Sequence, residues 1–322
     1  MSLKHVFGPV MSGRLGRSLG LDLLGGRVCS MDCVYCEVGK TARLTTACGP
    51  YVPAATLLDE VRQWREAELS SGGALPDYVT LGGSGEPCLN TELDEIISGL
   101  HEALPGVPVA VLTNATPLTD PEVRKRLALA DAVLPSLDSL VEAEFAAVNR
   151  PCEGVTAASV AGALQAFRER YDGLLFLEVL LVRGLNDSEE NLSRLREFVA
   201  GLRPDRVDVT TLSRPGTEAD AKAVDAATLA RWRETLSAGA EERLSGTETA
   251  KPREPQRISD ERLAEKVLAS LARRPQTVLQ LSKALGVEEA RVRGVVGTLL
   301  QRGDLEERET GEQAFYHARR AE

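Results

Sequence analysis

The sequence predicts an α/β protein: six parallel strands wound with helices, followed by a small helical domain. Three observations carry this. Strand-length apolar runs and helix-period segments alternate six times between Leu19 and Ala240, and such alternation builds a parallel sheet with right-handed crossovers. A polar stretch from Ser237 to Arg257 then carries one leucine and no aromatic residue, too little apolar area to offset the entropy of ordering it. Beyond it, three helix-period segments and a strand pair fill the remainder. The expected organisation is residues 1–240 as the sheet domain, 241–257 as a flexible linker and 258–322 as the small domain, and a length of 322 residues suits two domains.

Residues Phe7–Gly20 intersperse glycine and arginine with little apolar periodicity. They read as a surface loop, or as a lid whose Arg14 and Arg17 approach an anionic ligand. Leu19–Leu24 is the first strand, and a cysteine-bearing segment follows directly at its carboxyl end, where α/β folds place ligands. Pro53–Leu69 sets Leu57, Leu58, Val61 and Trp64 on one helical face. Tyr78–Leu81 is a strand leading into a glycine-rich turn. Thr91–Leu104 is a helix, and Val109–Leu112 a strand ending in Thr113-Asn114. Asp120–Ala130 is a helix with Pro121 suited to its first turn. Ala132–Leu134 is a strand leading into Pro135-Ser136-Leu137-Asp138. Helices follow at 140–148 and 155–171, then a strand at Leu174–Val182. Asp187 is read as an N-cap of the next helix, whose stripe is Leu192, Leu195, Phe198 and Val199. Val207–Leu212 is the sixth strand, and Thr228–Ala240 the closing helix.

In the small domain a first helix spans Asp260–Arg273. Thr277–Gln280 matches a capping box opening the second, which Gly286 ends. The third spans Glu288–Gln301 with Gly303 past its end. Leu305–Ala318 reads as a hairpin turning near Thr310-Gly311. Three helices and a hairpin resemble a winged helix. From Ile258 onward the chain carries 11 Lys/Arg and 11 Asp/Glu. That neutrality weighs against phosphate binding, which cationic side chains drive through counterion release; a nucleic-acid or a protein partner both remain readings of this domain.

The formal net charge of −10 argues against a general polyanion binder. The first residues form no continuous apolar stretch, so no secretory signal is read. The longest apolar run, Leu174–Val182, is interrupted by Glu178 and is far short of the about 20 residues a bilayer needs. Six cysteines in the first half of the chain, without such a signal, fit metal chemistry in a reducing cytoplasm.

The chemistry centres on Val28–Cys36, V-C-S-M-D-C-V-Y-C. Cys29, Cys33 and Cys36 stand at C-x3-C-x2-C spacing, close enough to converge on one inorganic centre. A structural zinc site uses four protein ligands, which here would recruit Cys48. A 4Fe–4S cube on three thiolates leaves one iron open for a small molecule. Gly82-Gly83-Ser84-Gly85-Glu86-Pro87 follows a strand, and its glycines let backbone approach a ligand; they do not match a dinucleotide fingerprint. Asn114, Ser136 and Asp138 lie at strand ends, as ligand contacts or as turn-forming residues. Glu178 shares a strand face with Leu174, Phe176, Leu180 and Val182. A buried carboxylate without a partner costs several kcal/mol, so Glu178 is expected to face a hydrated lumen or a cation. With Asp208, Thr210 and Arg214 it makes the expected substrate face, Glu178 and Arg214 as catalytic candidates. Cys48, Cys88 and Cys152 are left over, as a possible second redox centre or as small buried hydrophobes.

The cysteine loop with Tyr35 before its last cysteine resembles the radical S-adenosylmethionine (SAM) superfamily. Phe7-Gly8-Pro9-Val10, Arg17-Ser18-Leu19-Gly20, Gly83–Pro87, Asn149-Arg150-Pro151, Gly184–Asp187 and Arg214-Pro215 further resemble one subgroup. It comprises radical SAM Fe–S oxidoreductases related to the wyosine-type tRNA-modifying enzymes, here with a C-terminal winged helix. The resemblance implies a curved (β/α)6 partial barrel, which periodicity alone would not separate from a flat sheet. It implies a 4Fe–4S cluster on Cys29, Cys33 and Cys36, with SAM on the open iron. Tyr35 would flank the cluster or the adenine. Gly82, Gly83, Gly85 and Glu86 would hold the SAM amino group, and Asn114, Ser136 and Asp138 its ribose or carboxylate. Partners implied are SAM, a substrate the resemblance does not supply, and a low-potential electron donor such as ferredoxin or flavodoxin. RNA modification, or a cluster- or SAM-sensing regulator, are the alternatives. The subgroup usually shows P-S-R-R where this chain has Met11-Ser12-Gly13-Arg14. No cysteine precedes Cys29 to match the second cluster of the wyosine enzymes.

Overall fold

The computed structural model describes residues 3–213, 216–238, 259–272, 275–310 and 313–319. The expected linker at 241–257 and the candidate Arg214 lie outside the described residues. Strands β1 (Val6–Ser12) and β2 (Gly16–Asp22) come first, then the short β3 (Val28–Cys29) and β4 (Arg43–Leu44). The alternation continues through α1 (Ala54–Ser70), β5 (Tyr78–Gly82), α2 (Leu93–Ala103), β6 (Val109–Thr113), α3 (Pro121–Leu127) and β7 (Ala132–Pro135). It closes with α4 (Glu142–Asn149), α5 (Ala157–Arg168), β8 (Leu174–Leu181), α6 (Glu189–Leu202), β9 (Arg206–Thr211) and α7 (Ala226–Ser237). One seven-stranded sheet runs β1-β2-β5-β6-β7-β8-β9. Its six successive strands from β2 onward pair in parallel, as expected, and the sheet curls into a half-barrel.

The helices cover the convex face. Leu57, Ile96, Leu164, Leu195 and Trp232 pack there against strand residues such as Leu81, Val111 and Leu177. Burial of such side chains contributes roughly 1.5–3 kcal/mol each. The helix starting at Glu189 is capped by Ser188, whose hydroxyl accepts from Asn191 N–H. Asp187, the expected cap, instead accepts from Gly184 N–H in the preceding turn.

The largest departure from the sequence reading is at the start. Phe7–Gly20 is neither loop nor lid: β1 and β2 form an antiparallel hairpin at the sheet's edge. The period-2 signal is hidden for two reasons. A bulge shifts the register between Phe7 and Val10. The polar Arg17 and Ser18 are buried in β2. Gly20 has no side chain because the Phe7 ring lies on it; a Cβ there would stand 2.2 Å from ring carbons. The hairpin turn lies at the amino end of β2, opposite the cysteine loop. It inserts Leu15 among Ala110, Ala132, Leu134 and Phe176. These side chains close the lumen floor.

The C-terminal elements are α8 (Asp260–Leu271), α9 (Val278–Leu285), α10 (Glu289–Arg302), β10 (Leu305–Thr310) and β11 (Gln313–Ala318). The α9 capping box at Thr277 and Gln280 forms as expected. The three helices share their own core of Leu263, Val267, Leu281, Val292 and Leu299, and β10 pairs antiparallel with β11. Helices α8 and α9 pack on β1, covering an edge that would otherwise expose unpaired backbone groups. A buried ion cluster fastens them. Arg17 Nη2 donates to Glu68 Oε1 at 2.9 Å, and Lys266 Nζ to Glu68 Oε2 at 2.7 Å. Arg17 also donates to the carbonyls of Ala74 (2.7 Å) and Ala284 (3.3 Å). Arg17 is thus an anchor at the back of the sheet, far from any anion at the carboxyl end.

Candidate active site

The cysteine loop leaves the carboxyl end of β2 at Asp22. Its Oδ1 accepts from Leu24 and Gly25 N–H, turning the chain, while Oδ2 accepts from Ser84 Oγ at 2.6 Å. The glycine-rich turn after β5 then lies directly against the start of the loop. Glu86 N–H donates to Val28 O at 3.1 Å. A Cβ on Gly85 would stand 1.8 Å from that same carbonyl, and Gly83 has a φ of +109°; both positions require glycine. On the other side, Asp32 N–H donates to Asn149 O and Val34 N–H to Val148 O, so α4 supports the loop. Thr217 Oγ1 donates to Cys36 O at 3.1 Å, and Gly216 backs onto the Tyr35 backbone.

Cys29, Cys33 and Cys36 are each partly buried. Burial, then the neighbouring Glu86, pushes the Cys29 thiol up to about 12. Burial, then Asp138, pushes Cys33 up, and burial raises Cys36. Each of the three feels the charge of at least one nearby acidic group. Protein alone therefore disfavours three thiolates here, and a cationic centre would reverse that.

Two side-chain amides point at the sulfurs. Asn114, just after β6, brings Nδ2 to 3.4 Å from Cys29 Sγ. Asn149, the last residue of α4, brings Nδ2 to 3.5 Å from Cys33 Sγ. Among the described residues no three His, Cys, Asp or Glu side chains converge as ligands of a single metal ion. A cube shares its thiolates among several irons and spreads them further apart. Three thiols on one loop, amide donors at two sulfurs and unsatisfied local negative charge fit a three-thiolate Fe–S cluster. Cys48 is exposed, Cys88 buried and Cys152 partly buried.

The other expected residues fall into distinct settings. Glu86 is buried; Oε1 accepts from Cys88 N–H (3.0 Å) and Thr113 Oγ1 (2.7 Å), and Oε2 from Asn114 N–H (2.6 Å). Burial raises its carboxyl even so. Asp138 is a buried hub: Oδ2 accepts from Tyr35 Oη (2.5 Å) and Asn149 Nδ2 (2.7 Å), and Oδ1 from Leu180 N–H (2.8 Å). Its own carbonyl accepts from Asn186 and Asn191. Ser136 is half-buried beside Glu178. Gly82 is buried and Gly83 exposed at the end of β5.

Deeper in the lumen, Glu178 and Asp208 are register partners on β8 and β9. Both are paired. Arg14, carried by the hairpin turn, forms an ion pair with Glu178. Arg206 donates to Asp208 Oδ2 at 2.8 Å and lies 4.1 Å over the Phe176 ring. Burial, partly offset by Arg14 and reinforced by Asp208, pushes Glu178 up to about 7. Thr210 is half-buried on the same strand as Asp208. The sequence reading missed Asn149, Asp22 and Arg14's pairing with Glu178. Asn149 stood in a motif already singled out, N-R-P, but nothing local distinguishes its amide from any helix-ending asparagine.

A family profile, the radical SAM superfamily, matches residues 23–195. Over 95% of this chain, a protein named GTPase Obg from Brachyspira hyodysenteriae is 30% identical, and the chain spans only 44% of that protein. A Synechocystis protein, UPF0026 protein slr1464, is 36% identical over 65% of this chain and 76% of its own length. A crystal structure titled a radical SAM methyltransferase, from Sphaerobacter thermophilus, superposes with a TM-score of 0.51 at 20% identity. The match covers 69% of this chain and 63% of that one.

Proposed function

The chain belongs to the radical SAM superfamily, with UPF0026 proteins among its relatives, and from that premise we propose how its own residues serve the reaction. Cys29, Cys33 and Cys36 would hold a 4Fe–4S cluster beside a site for SAM. The cluster would supply the low-potential electron for cleaving SAM to methionine and a 5′-deoxyadenosyl radical, which would abstract hydrogen from a substrate. The observation that carries this reading is the cysteine loop at the carboxyl end of the half-barrel, with side-chain amides at two of its sulfurs.

Gly82 and Gly83 offer backbone carbonyls to the SAM amino group, and Glu86 adds its negative charge from behind them. Glu86 also fixes Asn114 and Thr113, so it shapes the site whether or not it touches SAM. Tyr35 and Asp138 bond each other, and Asn114 bonds the cysteine loop at Ser30 and Cys29, which leaves the Ser136 hydroxyl as the freer contact. Glu178, Asp208 and Thr210 face the substrate, with the Glu178 carboxyl raised to about 7, where it can accept or release a proton; Arg214 is kept as a candidate from the sequence alone. A ferredoxin- or flavodoxin-like protein would supply the electron. The C-terminal unit, read as a winged helix, serves as a protein-docking domain more readily than as a nucleic-acid reader, given its neutral charge.

The test is anaerobic reconstitution with iron and sulfide, then dithionite and SAM. Broad Fe–S absorbance and 5′-deoxyadenosine are expected. Absence of either, relative to a Cys33→Ala control, would sink the reading.

A further inference from the structure

Both amides at the sulfurs have a settled orientation, which is what gives them meaning. An asparagine side chain can be turned end for end unless its partners decide which end is nitrogen. For Asn114 the decision comes from Thr116. Its backbone N–H, which can only donate, points at Asn114 Oδ1 at 3.1 Å. The other end of the amide is therefore the NH2 group, and that end faces Cys29 Sγ. Asn114 Nδ2 also lies 2.9 Å from Ser30 Oγ. For Asn149 the decision comes from Asp138, a carboxylate that accepts. The end 2.7 Å from Asp138 Oδ2 must be the NH2 group, and that end faces Cys33 Sγ.

The two residues are also held in place by contacts that have nothing to do with sulfur. Asn114 N–H is bonded to Glu86, and Asn149 closes α4 immediately before the left-handed Arg150. Asp138 receives Leu180 N–H as well, so the donor at Cys33 is braced by β8. Neither residue is a metal ligand by chemistry, and each is a neutral donor at a sulfur that carries charge when a cluster is bound. Reduction adds an electron that is shared by iron and sulfur. A hydrogen bond to a ligating sulfur stabilises that extra charge, and such bonds are one of the factors setting cluster potential.

We infer that Asn114 and Asn149 are potential-setting donors: through Cys29 and Cys33 they raise the cluster's reduction potential, with Asp138 as the positioning residue for Asn149. The inference rests on the cluster assignment above and goes beyond it. It assigns these side chains an electronic role in addition to a ligand-shaping one. It also predicts an asymmetry, because no side-chain amide reaches Cys36 among the described residues.

The experiment is an anaerobic redox titration of the reconstituted full chain without SAM, followed by electron paramagnetic resonance of the reduced cluster. Wild type is compared with Asn114→Ala, Asn149→Ala and the double variant, with iron and sulfide content measured for each. Each single variant is expected to load a cluster and to shift to more negative potential. The expected size is about a tenfold fall in the reduced-to-oxidised ratio at fixed potential, which is about 59 mV for one electron. The double variant should shift further. Asp138→Asn removes both the anchor of the Asn149 amide and a negative charge beside Cys33, so its shift should be more negative in the wild-type background than in Asn149→Ala, where only the charge is lost; equal shifts in the two backgrounds would overturn the positioning role. Loaded Asn114→Ala and Asn149→Ala variants whose potentials equal wild type would overturn the inference. So would variants that lose the cluster altogether, since that assigns the amides a purely structural role. If wild type itself forms no 4Fe–4S cluster, it is the cluster assignment that fails, which the iron and sulfide content reports separately.

Discussion

The two ends of the half-barrel handle charge in opposite ways. From mid-lumen down to the amino end, charges come already matched: Arg14 with Glu178, Arg206 with Asp208, and Arg17 and Lys266 with Glu68. At the carboxyl end, three thiols, Glu86 and Asp138 gather with only neutral donors among their bonded partners. Burial raises every one of these groups. A region whose ion pairs are complete holds a shape. In a region that concentrates buried acidic groups without a cation, a cationic centre would be stabilised.

That comparison can be broken most directly at the sulfurs. Cys33→Ala should abolish the Fe–S absorbance after reconstitution while the apo-protein keeps its far-ultraviolet circular dichroism and thermal midpoint. A cluster retained at wild-type stoichiometry would dissolve the contrast between the two ends.

The next largest effect is at the domain anchor. Glu68→Ala removes the carboxylate that Arg17 and Lys266 share in a buried setting. Removing one partner of a buried pair costs about 3–5 kcal/mol. Urea unfolding should show a lower midpoint, and limited proteolysis should release the C-terminal unit sooner. Cluster loading should be unaffected, because the anchor lies behind the sheet.

Glu178 supplies a pH test. Its carboxyl rises from an ordinary 4.5 to about 7 on folding. The folded chain therefore holds a proton that the unfolded chain releases between those values. This contribution to stability is fully present below about pH 4.5 and is lost as pH rises through about 7. Glu178→Gln should flatten that part of the stability curve, by an amount of order 1–3 kcal/mol, since a shift of one pH unit is worth about 1.4 kcal/mol and the group keeps some exposure. A slope that persists in Glu178→Gln would place the titrating group elsewhere.

The smallest effect sharpens the contrast from outside. Arg194 and Glu190 pair one helical turn apart on α6, each about half exposed. Arg194→Ala should change stability by only about 0.3–0.5 kcal/mol, and less at high salt. A large loss would mean that burial is the wrong criterion for ranking these pairs.

Much of this was legible in the sequence because its signals are local. Apolar periodicity marked all six parallel strands to within a few residues, since a strand or helix face must bury its own stripe. The capping box at Thr277 and the glycine needed at Gly85 also announce themselves over a few positions. The β1–β2 hairpin was not legible. Its bulge breaks the period of two, and its buried Arg17 looks like a surface residue until Glu68, 51 positions away, is beside it.

The site divides along the same line. The cysteine spacing by itself determined that three thiols share one short loop, because positions so close in the chain can meet without help from the rest of the fold. Only the tertiary structure decided which groups surround it. Asn149 reaches Cys33 across 116 positions and Asn114 reaches Cys29 across 85, and Arg14 crosses the floor of the lumen to Glu178. An amide or a guanidinium carries no sign of its partner in the sequence. The curl of the sheet brings them within hydrogen-bond reach, and distance, unlike residue type, is settled only when the chain has folded.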